Sequence, residues 1–317
     1  MNIVCSTDNN FVQHCCIMLT SVLKHNTDVI IYLITEGLTN SNLQILKDEV
    51  ENKGGELHVI TIDSSIISKF PMPELNELTH VSPATYNRLL ISHVLPKSIN
   101  KVLYLDCDII VRRPLTKLWD INIDNFAVGA VSQISINTVE ETQRLGYPAI
   151  FGYFNAGVLL INLDHWRVFG VFEKLMNYLI SNYNIIKYHD QDALNAVLYN
   201  NSLRISCDWN MLSSYFSKDI FMINDSINGR IINEYSDYKN QLKKSMKDPS
   251  LIHYVSTPKP WSEYSVHPFR KEYYKYSKFS IFYNTIKPKK IVLSNCYYLL
   301  YKVFVINIYK VYFKGRF

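Results

Sequence analysis

The sequence contains no CxxC pair and no regular cysteine spacing, so neither a disulfide framework nor a zinc site is indicated. Its six cysteines are scattered at Cys5, Cys15, Cys16, Cys107, Cys207 and Cys296. Unpaired thiols are typical of reducing compartments. We therefore expect reduced cysteines in a cytosolic protein.

Targeting segments, internal repeats and low-complexity stretches are also missing from the sequence. The N-terminus, MNIVCSTD, has no basic stretch and reaches an acid at Asp8, which does not match a signal peptide. The 317 residues are 48% hydrophobic and 19% charged, which supplies enough apolar side chains for a sizeable core. We expect Met1 to lead directly into a first strand and the active part to stay in the cytoplasm.

Positive charge is concentrated at the C-terminus. Residues 270–317 contain eleven Lys or Arg and a single acid, Glu272, whereas residues 1–269 contain 22 Lys or Arg against 27 acids. An acidic body with a basic tail is expected to contact partners differently from a uniformly basic protein. The basic character of the chain therefore belongs to the tail.

Short apolar runs alternate with helical patterns along most of the chain. The patterns predict strands at 2–6, 29–35, 57–62, 101–105, 126–131, 154–161 and 251–255, and helices at 11–25, 40–53, 82–95, 164–182 and 190–199. Strands separated by helices form βαβ units, which predict a parallel sheet covered by helices on both faces. Residues 213–250 are polar and weakly patterned, and we predict an irregular segment there.

Two carboxylates follow a buried strand directly, in the run KVLYL-Asp106-Cys107-Asp108. The carboxyl edge of such a sheet is where α/β folds bind ligands. In an extended backbone, residues i and i+2 point to the same side, so both acids would present hard oxygen ligands suited to Mg²⁺ or Mn²⁺. Acids also occur at strand ends simply because they are solvated there, so this pair alone is a weak signal.

The wider sequence around this pair resembles glycosyltransferase family 8. The stretch VLYLDCDIIVRRPLTKLW (102–119) is similar to the metal-binding region of that family, which includes bacterial lipopolysaccharide glucosyl- and galactosyltransferases, plant galacturonosyltransferases and glycogenins. Further matches occur in the family's order: STDNNF (6–11), HVSPATYNR (80–88), YFNAGVLLINL (153–163), HDQDAL (189–194) and HYVSTPKPW (253–261). The resemblance implies a Rossmann-like nucleotide-diphospho-sugar transferase fold, with a mainly parallel mixed sheet, over residues 1–265.

The resemblance implies a metal site made of Asp106, Asp108 and His253. An imidazole beside carboxylates favours Mn²⁺ over Mg²⁺. It also implies that Lys259 contacts the donor diphosphate and stabilises negative charge there. Without the resemblance, His253 would be read as a satisfied histidine near a strand end, and Lys259 as a solvated surface lysine.

The family pattern further implies a site for the donor, a UDP-sugar. The residues that would bind it are Ser6, Asp8, Asn10, Phe11, Asn155, Ser256 and Lys259. Asp8 and Asn10 would hold the uridine, with Phe11 available to stack on the base. Apart from the family pattern, Asp8-Asn9-Asn10 reads as an Asx-rich turn that caps a helix. Asn155 lies within an apolar strand and needs a hydrogen-bond partner, for which a sugar hydroxyl or a backbone group would serve.

Four residues are implied to act on the donor sugar as it reacts: Arg88, Asp190, Gln191 and Lys259. Arg88 would reach both the sugar and the first aspartate of the Asp-x-Asp pair; as an isolated residue it would be read as a surface charge. One of the acids in HDQDAL could equally cap the helix that begins there, and Asp192 is expected mainly to do so.

Family 8 enzymes retain the anomeric configuration, and the resemblance offers no carboxylate nucleophile, only the amide of Gln191. We therefore favour same-face attack within an ion pair, with the leaving phosphate helping to deprotonate the acceptor. Two departures from the family pattern bear on the site. Ser256 replaces a glycine near the diphosphate, and Gln133 lies where many relatives have an aspartate near the acceptor.

The tail, residues 266–317, interleaves basic and aromatic side chains. This mixture is typical of segments that lie in an anionic membrane interface. Residues 291–313 are long enough to span a bilayer, but Lys302 near their middle favours peripheral binding. The tail could instead pack on the catalytic domain or on another subunit. No RNA-binding motif accompanies it, and we do not expect nucleic acid as a partner.

Together these features predict a retaining, Mn²⁺-dependent hexosyltransferase at the cytoplasmic face of the inner membrane. It would move glucose or galactose from UDP-glucose or UDP-galactose to a lipopolysaccharide core or a related surface glycan. One alternative is transfer to a protein or another polysaccharide. Another is a catalytically silent scaffold that binds a sugar nucleotide or a membrane. A phosphodiester-cleaving metalloenzyme would also use two such acids.

Overall fold

The computed structural model describes residues 1–68, 70, 83–134, 138–216, 240–255 and 257–287. Ser82, which we predict at the start of a helix, Ser256 and the last thirty residues of the tail lie outside the described residues. Within those ranges, every helix is too short or too polar to cross a bilayer.

The described strands form two sheets. They are β1 (Asn2–Ser6), β2 (Ile30–Thr35), β3 (Glu56–Thr61), β4 (Lys101–Leu105), β5 (Ile109–Val111), β6 (Val128–Ser132), β7 (Phe154–Asn162), β8 (Ser202–Arg204), β9 (Met211–Leu212) and β10 (Leu251–His253). The large sheet has the order β3-β2-β1-β4-β7-β6-β8, and β7 runs antiparallel to both of its neighbours. The remaining pairs in this sheet are parallel. The mainly parallel mixed sheet expected from the sequence is therefore confirmed.

Helices cover both faces of the large sheet. They are α1 (Val12–Leu23), α2 (Asn40–Glu51), α3 (Ser64–Ile67), α4 (Ile91–Val94), α5 (Thr116–Trp119), α6 (Thr138–Leu145), α7 (Leu163–Val168), α8 (Val171–Ser181), α9 (His189–Leu198) and α10 (Arg270–Ser277). Alternate residues of β1 enter different cores: Ile3 and Cys5 pack with α1, while Val4 packs on the opposite face. This period of two is what a strand buried on both faces requires.

Three of the predicted elements differ from the structure. The helix predicted at 82–95 is a 3₁₀ helix over Pro83–Leu90 that passes into the short helix α4. The single helix predicted at 164–182 is two helices, because Gly170 has a left-handed φ of 56° between α7 and α8. The segment predicted to be irregular is helical at 240–245, and residues 217–239 lie outside the described residues.

The strand order changes direction between β1 and β4, and this places the site. These parallel neighbours pair Ile3 with Leu103, and both strands end at the same edge of the sheet. In open α/β sheets, ligands bind in the crevice at such a switch point, beyond the carboxyl ends of the strands. The residues after Ser6 and after Leu105 therefore face one crevice.

A second, three-stranded sheet lies beside this crevice in the order β5-β10-β9. β10 pairs antiparallel with β5, so that His253 lies opposite Ile109, directly after the Asp-x-Asp segment. The sequence predicts the strand that becomes β10 but not its partners. This sheet is what carries His253 to the two aspartates.

The beginning of the tail packs on the preceding domain. In α10, Tyr273 and Tyr276 are buried. The hydroxyl of Tyr273 lies 2.7 Å from Nδ1 of His14, within α1. The hydroxyl of Tyr276 lies 2.7 Å from Nε2 of His25, just after α1 ends. Farther along, the backbone N–H of Ile281 donates to the buried carboxylate of Glu49 on α2 at 2.7 Å. Packing on the domain was one of the alternatives that the sequence left open. The division at residue 265 remains a prediction.

Candidate active site

Asp106, Asp108 and His253 converge at the crevice. One potential ligand atom from each lies within 4.8 Å of the others. His253 Nε2 is 3.1 Å from Asp108 Oδ1 and 3.6 Å from Asp106 Oδ2. The backbone between the aspartates is a turn linking β4 to β5 rather than the extended segment expected from the sequence. The two carboxylates therefore meet because the chain turns between them, not because of strand alternation.

The space around these ligands suits a bound cation. A Cβ on Gly157 of β7 would lie 2.1 Å from His253 Cε1 and 2.7 Å from Asp106 Oδ2, so only glycine leaves room for both side chains. Two carboxylates and an imidazole form a set that divalent metals such as Mn²⁺ and Mg²⁺ accept. The residues present fit the metal that the family pattern implies.

Lys259 contacts the second aspartate. Its Nζ lies 2.6 Å from Asp108 Oδ2 and donates to the backbone oxygen of Tyr254, also at 2.6 Å. Burial alone would raise the pKa of Asp108, but the charge of Lys259 and the contact with His253 hold it well below its usual range. Asp108 is therefore ionised throughout the physiological pH range, and Lys259 supplies a cation at the same place.

Arg88 joins the aspartate side of the crevice to α9. Its guanidinium lies 2.9 Å from both Asp106 Oδ1 and Asp190 Oδ2 and donates to the backbone oxygen of Ala156 at 2.7 Å. Burial raises the pKa of Asp190 to about 7, against the lowering effect of Arg88 and reinforced by the charge of Asp106. The arginine is buried rather than the surface charge that it would be as an isolated residue.

The side chains of Asn155 and Gln191 are saturated with hydrogen bonds inside the protein. Gln191 Oε1 accepts from Asn155 Nδ2 at 2.9 Å and from the backbone N–H of Ala156 at 3.0 Å. Its Nε2 donates to Gln133 and to the hydroxyl of Tyr153, both at 3.1 Å. An amide oxygen accepts two hydrogen bonds, so Gln191 has no spare acceptor in this arrangement.

A cavity of about 500 Å³ joins these groups. Eight residues predicted from the sequence line it: Arg88, Asp106, Asp108, Asn155, Asp190, Gln191, His253 and Lys259. Gln133, Tyr188 and His189 line it too. The metal-binding and sugar-binding predictions thus fall on a single cavity.

Four of the residues predicted to bind the donor, Ser6, Asp8, Asn10 and Phe11, lie outside the lining of the cavity. Asp8 Oδ1 accepts from the backbone N–H groups of Asn10 and Phe11 at 2.8 and 3.1 Å, which is the Asx turn considered as the alternative. Ser6 Oγ accepts from Asn87 at 3.1 Å. The ring of Phe11 lies edge-on to Trp261 at 5.8 Å.

Asp192 is wholly occupied in structural contacts. It is fully buried and accepts from both terminal nitrogens of Arg144 at 2.9 Å, from the hydroxyl of Tyr153 and from the backbone N–H groups of Lys187 and Tyr188. The capping role expected for Asp192 accounts for part of this network. The ion pair with Arg144 on α6 could not be found from the sequence, because the two residues lie 48 positions apart.

Sequence reasoning also missed Asn210, which is fully buried and lies 2.9 Å from His253 Nδ1. It occurs in the run CDWN-Met211, with no family motif or apolar periodicity around it. Gly157, by contrast, lies in the motif YFNAGVLLINL, and a glycine inside a strand indicates a close approach by another group.

Comparisons with known proteins agree with this geometry. The profile described as "Glycosyl transferase family 8" matches residues 2–265. General stress protein A of Bacillus subtilis is 27% identical over 90% of this chain and 96% of its own length. Lipopolysaccharide 1,2-glucosyltransferase of Escherichia coli is 24% identical over 86% of this chain and 76% of its own. The crystal structure of the galactosyltransferase LgtC, in complex with donor and acceptor sugar analogues, has the same fold, with a TM-score of 0.76 at 24% identity over 89% of this chain and 96% of that one.

Proposed function

Because this chain belongs to glycosyltransferase family 8, we propose that it transfers a hexose from UDP-glucose or UDP-galactose, with retention, to a lipopolysaccharide core or a related surface glycan. The observation that carries the proposal is the single cavity in which Asp106, Asp108, His253 and Lys259 meet. Two acids, an imidazole and a lysine suit a metal-bound diphosphate. The lipopolysaccharide glucosyltransferase among the relatives supports the class of acceptor.

The protein's part in the reaction is mainly electrostatic. Asp106, Asp108 and His253 would hold Mn²⁺, which when bound acts as a Lewis acid toward diphosphate oxygens. Lys259 places a positive charge beside Asp108, where it can stabilise negative charge as the sugar–phosphate bond breaks. Arg88, fixed by two carboxylates, keeps Asp106 in place and orients Asp190 toward the cavity.

Retention without a protein nucleophile is part of the proposal. Gln191 has both lone pairs of its amide oxygen in use, and Asp192 is held by Arg144. Asp190 is paired with Arg88, whose guanidinium lies 2.9 Å from the carboxylate oxygen Oδ2. We therefore favour attack by the acceptor on the same face as the departing diphosphate. A glycosyl group trapped covalently on any carboxylate would contradict this mechanism.

We further propose that the C-terminal segment meets an anionic membrane surface. After α10, the side chains of Phe279, Ile281 and Tyr283 are 44–60% exposed, and Lys278 and Lys287 lie in the same segment. Exposed aromatic side chains combined with lysines suit a lipid interface. Sedimentation with vesicles containing phosphatidylglycerol, but not with phosphatidylcholine alone, is the expected result. A chain truncated after Lys287 keeps these residues but loses most of the basic tail, so it should bind more weakly than the full chain. Equal binding by both chains would assign attachment to residues up to Lys287, and no binding to phosphatidylglycerol by either would contradict the proposal.

The deciding experiment measures UDP release with Mn²⁺ across a panel of UDP-sugars. We expect release with one preferred hexose, lost in chelator and in Asp106→Ala/Asp108→Ala, but retained in Asp124→Ala, an exposed acid after α5. The panel names the donor, and adding lipid-linked glycans tests the acceptor. If no donor gives release, even with such acceptors present, the protein is a non-catalytic binder.

A further inference from the structure

We propose that Asn210 is a positioning residue that fixes which ring nitrogen of His253 faces the metal site. This role rests on the metal-binding function proposed above for His253. Asn210 is fully buried and lies behind the cavity, outside its lining. The backbone N–H of Gly157, two residues along β7 from Asn155, determines which side-chain atom of Asn210 donates and which accepts.

The assignment of hydrogen-bond donors and acceptors begins at Gly157. Its backbone N–H can only donate, and it lies 2.9 Å from one terminal atom of the Asn155 side chain, which must therefore be the oxygen, Oδ1. The other end of Asn155 agrees, because its Nδ2 donates to Gln191 Oε1. Gln191 Oε1 is itself fixed by the backbone N–H of Ala156. Asn155 is thus locked from both sides.

The same reasoning then assigns the donor and acceptor atoms of Asn210. The atom of Asn210 that lies 2.8 Å from Asn155 Oδ1 must donate, so it is Nδ2. The remaining atom, Oδ1, then faces His253 Nδ1 at 2.9 Å and can only accept. His253 Nδ1 therefore carries a proton, and the neutral ring presents a lone pair at Nε2.

That lone pair points toward the two aspartates, 3.1 Å from Asp108 Oδ1 and 3.6 Å from Asp106 Oδ2. A bare nitrogen beside carboxylates is favourable when a cation lies between them. Without the acceptor on Asn210, the single proton of a neutral ring would be drawn to Nε2, because a carboxylate is the stronger acceptor. The proton would then occupy the position from which His253 binds metal.

Two near-isosteric substitutions separate this role from simple packing. Asn210→Leu and Asn210→Asp both lose the donor to Asn155, but only Asn210→Asp keeps an acceptor for His253 Nδ1. We expect Mn²⁺ affinity, measured by calorimetry without any sugar nucleotide, to fall about 10- to 100-fold in Asn210→Leu. In Asn210→Asp it should stay within about threefold of wild type, since the oriented acceptor is retained.

Asn195→Ala is the matched control for lost buried hydrogen bonds. Asn195 is also fully buried, and its amide bonds to the backbone of Phe154 and Gln191. We expect it to lower thermal stability as Asn210→Leu does while leaving Mn²⁺ affinity unchanged. Equal losses of Mn²⁺ affinity in Asn195→Ala and Asn210→Leu would overturn the proposal and reduce Asn210 to a packing residue.

Nitrogen-15 NMR of metal-free protein reads the ring directly, with His253→Gln assigning the signals among nine histidines. At alkaline pH we expect Nδ1 of His253 to be protonated in wild type and unprotonated in Asn210→Leu. A wild-type ring with a bare Nδ1 would overturn the proposal. Because this measurement needs neither metal nor substrate, a protein that failed to bind Mn²⁺ would refute the metal site and leave the tautomer result separate.

Discussion

Gly157 lies against His253 so closely that a single added methyl group would collide with the ring, 2.1 Å from Cε1. We expect Gly157→Ala to fold, because β7 has neighbours on both sides, but to push His253 out of place. A displacement of about 1 Å at a reacting site costs roughly 100-fold in rate. Mn²⁺ titration and UDP release should both show the loss.

Gly129→Ala is the control for this substitution. Gly129 lies on β6, next to β7, and its added Cβ would meet Ile205 Cγ2 at 3.4 Å, an ordinary contact. This variant should retain Mn²⁺ binding and UDP release. Unimpaired Mn²⁺ binding in Gly157→Ala would show that His253 is not a ligand.

Lys259 contacts Asp108, which a metal ion would also contact, so removing the lysine should have two opposite effects. Without nucleotide, Lys259→Met should bind Mn²⁺ more tightly, because a positive charge beside the carboxylates is lost. Turnover should fall about 100- to 1,000-fold, since the leaving diphosphate loses a positioned cation. Calorimetry and UDP release measure the two effects separately.

Lys47→Met is the matched control, because Lys47 makes an exposed ion pair with Glu51 at 3.9 Å on α2. Both measurements should remain at wild-type values there. Should Lys259→Met lose Mn²⁺ affinity instead, the lysine would support the site rather than compete in it.

The sequence predicts six of the seven strands of the large sheet, most clearly those whose burial on both faces leaves long apolar runs, and it misses the short β8. β4 was predicted with the bounds that the structure shows, and β7 differs only at its last residue. The helix predictions are wrong where the backbone conformation of a single residue ends a helix. Gly170 divides a continuous amphipathic pattern, and no periodicity reports a left-handed backbone.

For the site, local motifs named the residues but not their connections. Asp106, Asp108, His253 and Lys259 follow from motif resemblance, and the structure brings them together. The long-range partners could not be read from spacing. Asn210 and Asn155 are 55 positions apart, and their contact depends on the small sheet that pairs β9 with β10.

We expect Asp192 to contribute more to the free energy of unfolding than Asp190, the other acid in the run HDQDAL. Asp192→Asn removes one of the two carboxylates that pair with Arg144, and because Glu141 keeps its contact with that arginine, we expect a loss of about 1–3 kcal/mol. Urea unfolding at pH 7 should show this loss. Burial would raise the pKa of Asp192, but Arg144 and the two backbone N–H groups hold it below its usual range.

The pH dependence follows from that lowered pKa. A carboxylate with a depressed folded pKa stabilises the protein above its unfolded pKa of about 4 and loses this contribution as the pH falls through the folded value. The difference in free energy of unfolding between wild type and Asp192→Asn should therefore be largest at pH 7 and become smaller below about pH 4. Asp164 is an exposed acid in the first turn of α7. Its substitution, Asp164→Asn, should leave the free energy of unfolding within about 0.5 kcal/mol of wild type. A constant gap at acid pH would assign the effect to packing.

Two truncations test where the catalytic unit ends. A chain ending at Ser265 would lack α10 and expose the core formed by Ile17, Ile110 and Tyr254, against which Tyr273 packs. Burying each such large side chain contributes about 1.5–3 kcal/mol, so losing several would remove much of a typical stability of about 5–15 kcal/mol. We expect this chain to unfold at a much lower temperature, while one ending at Lys287 keeps the wild-type transition. Identical transitions in calorimetry would instead make residues 266–317 a separate appendage, as the sequence division predicts.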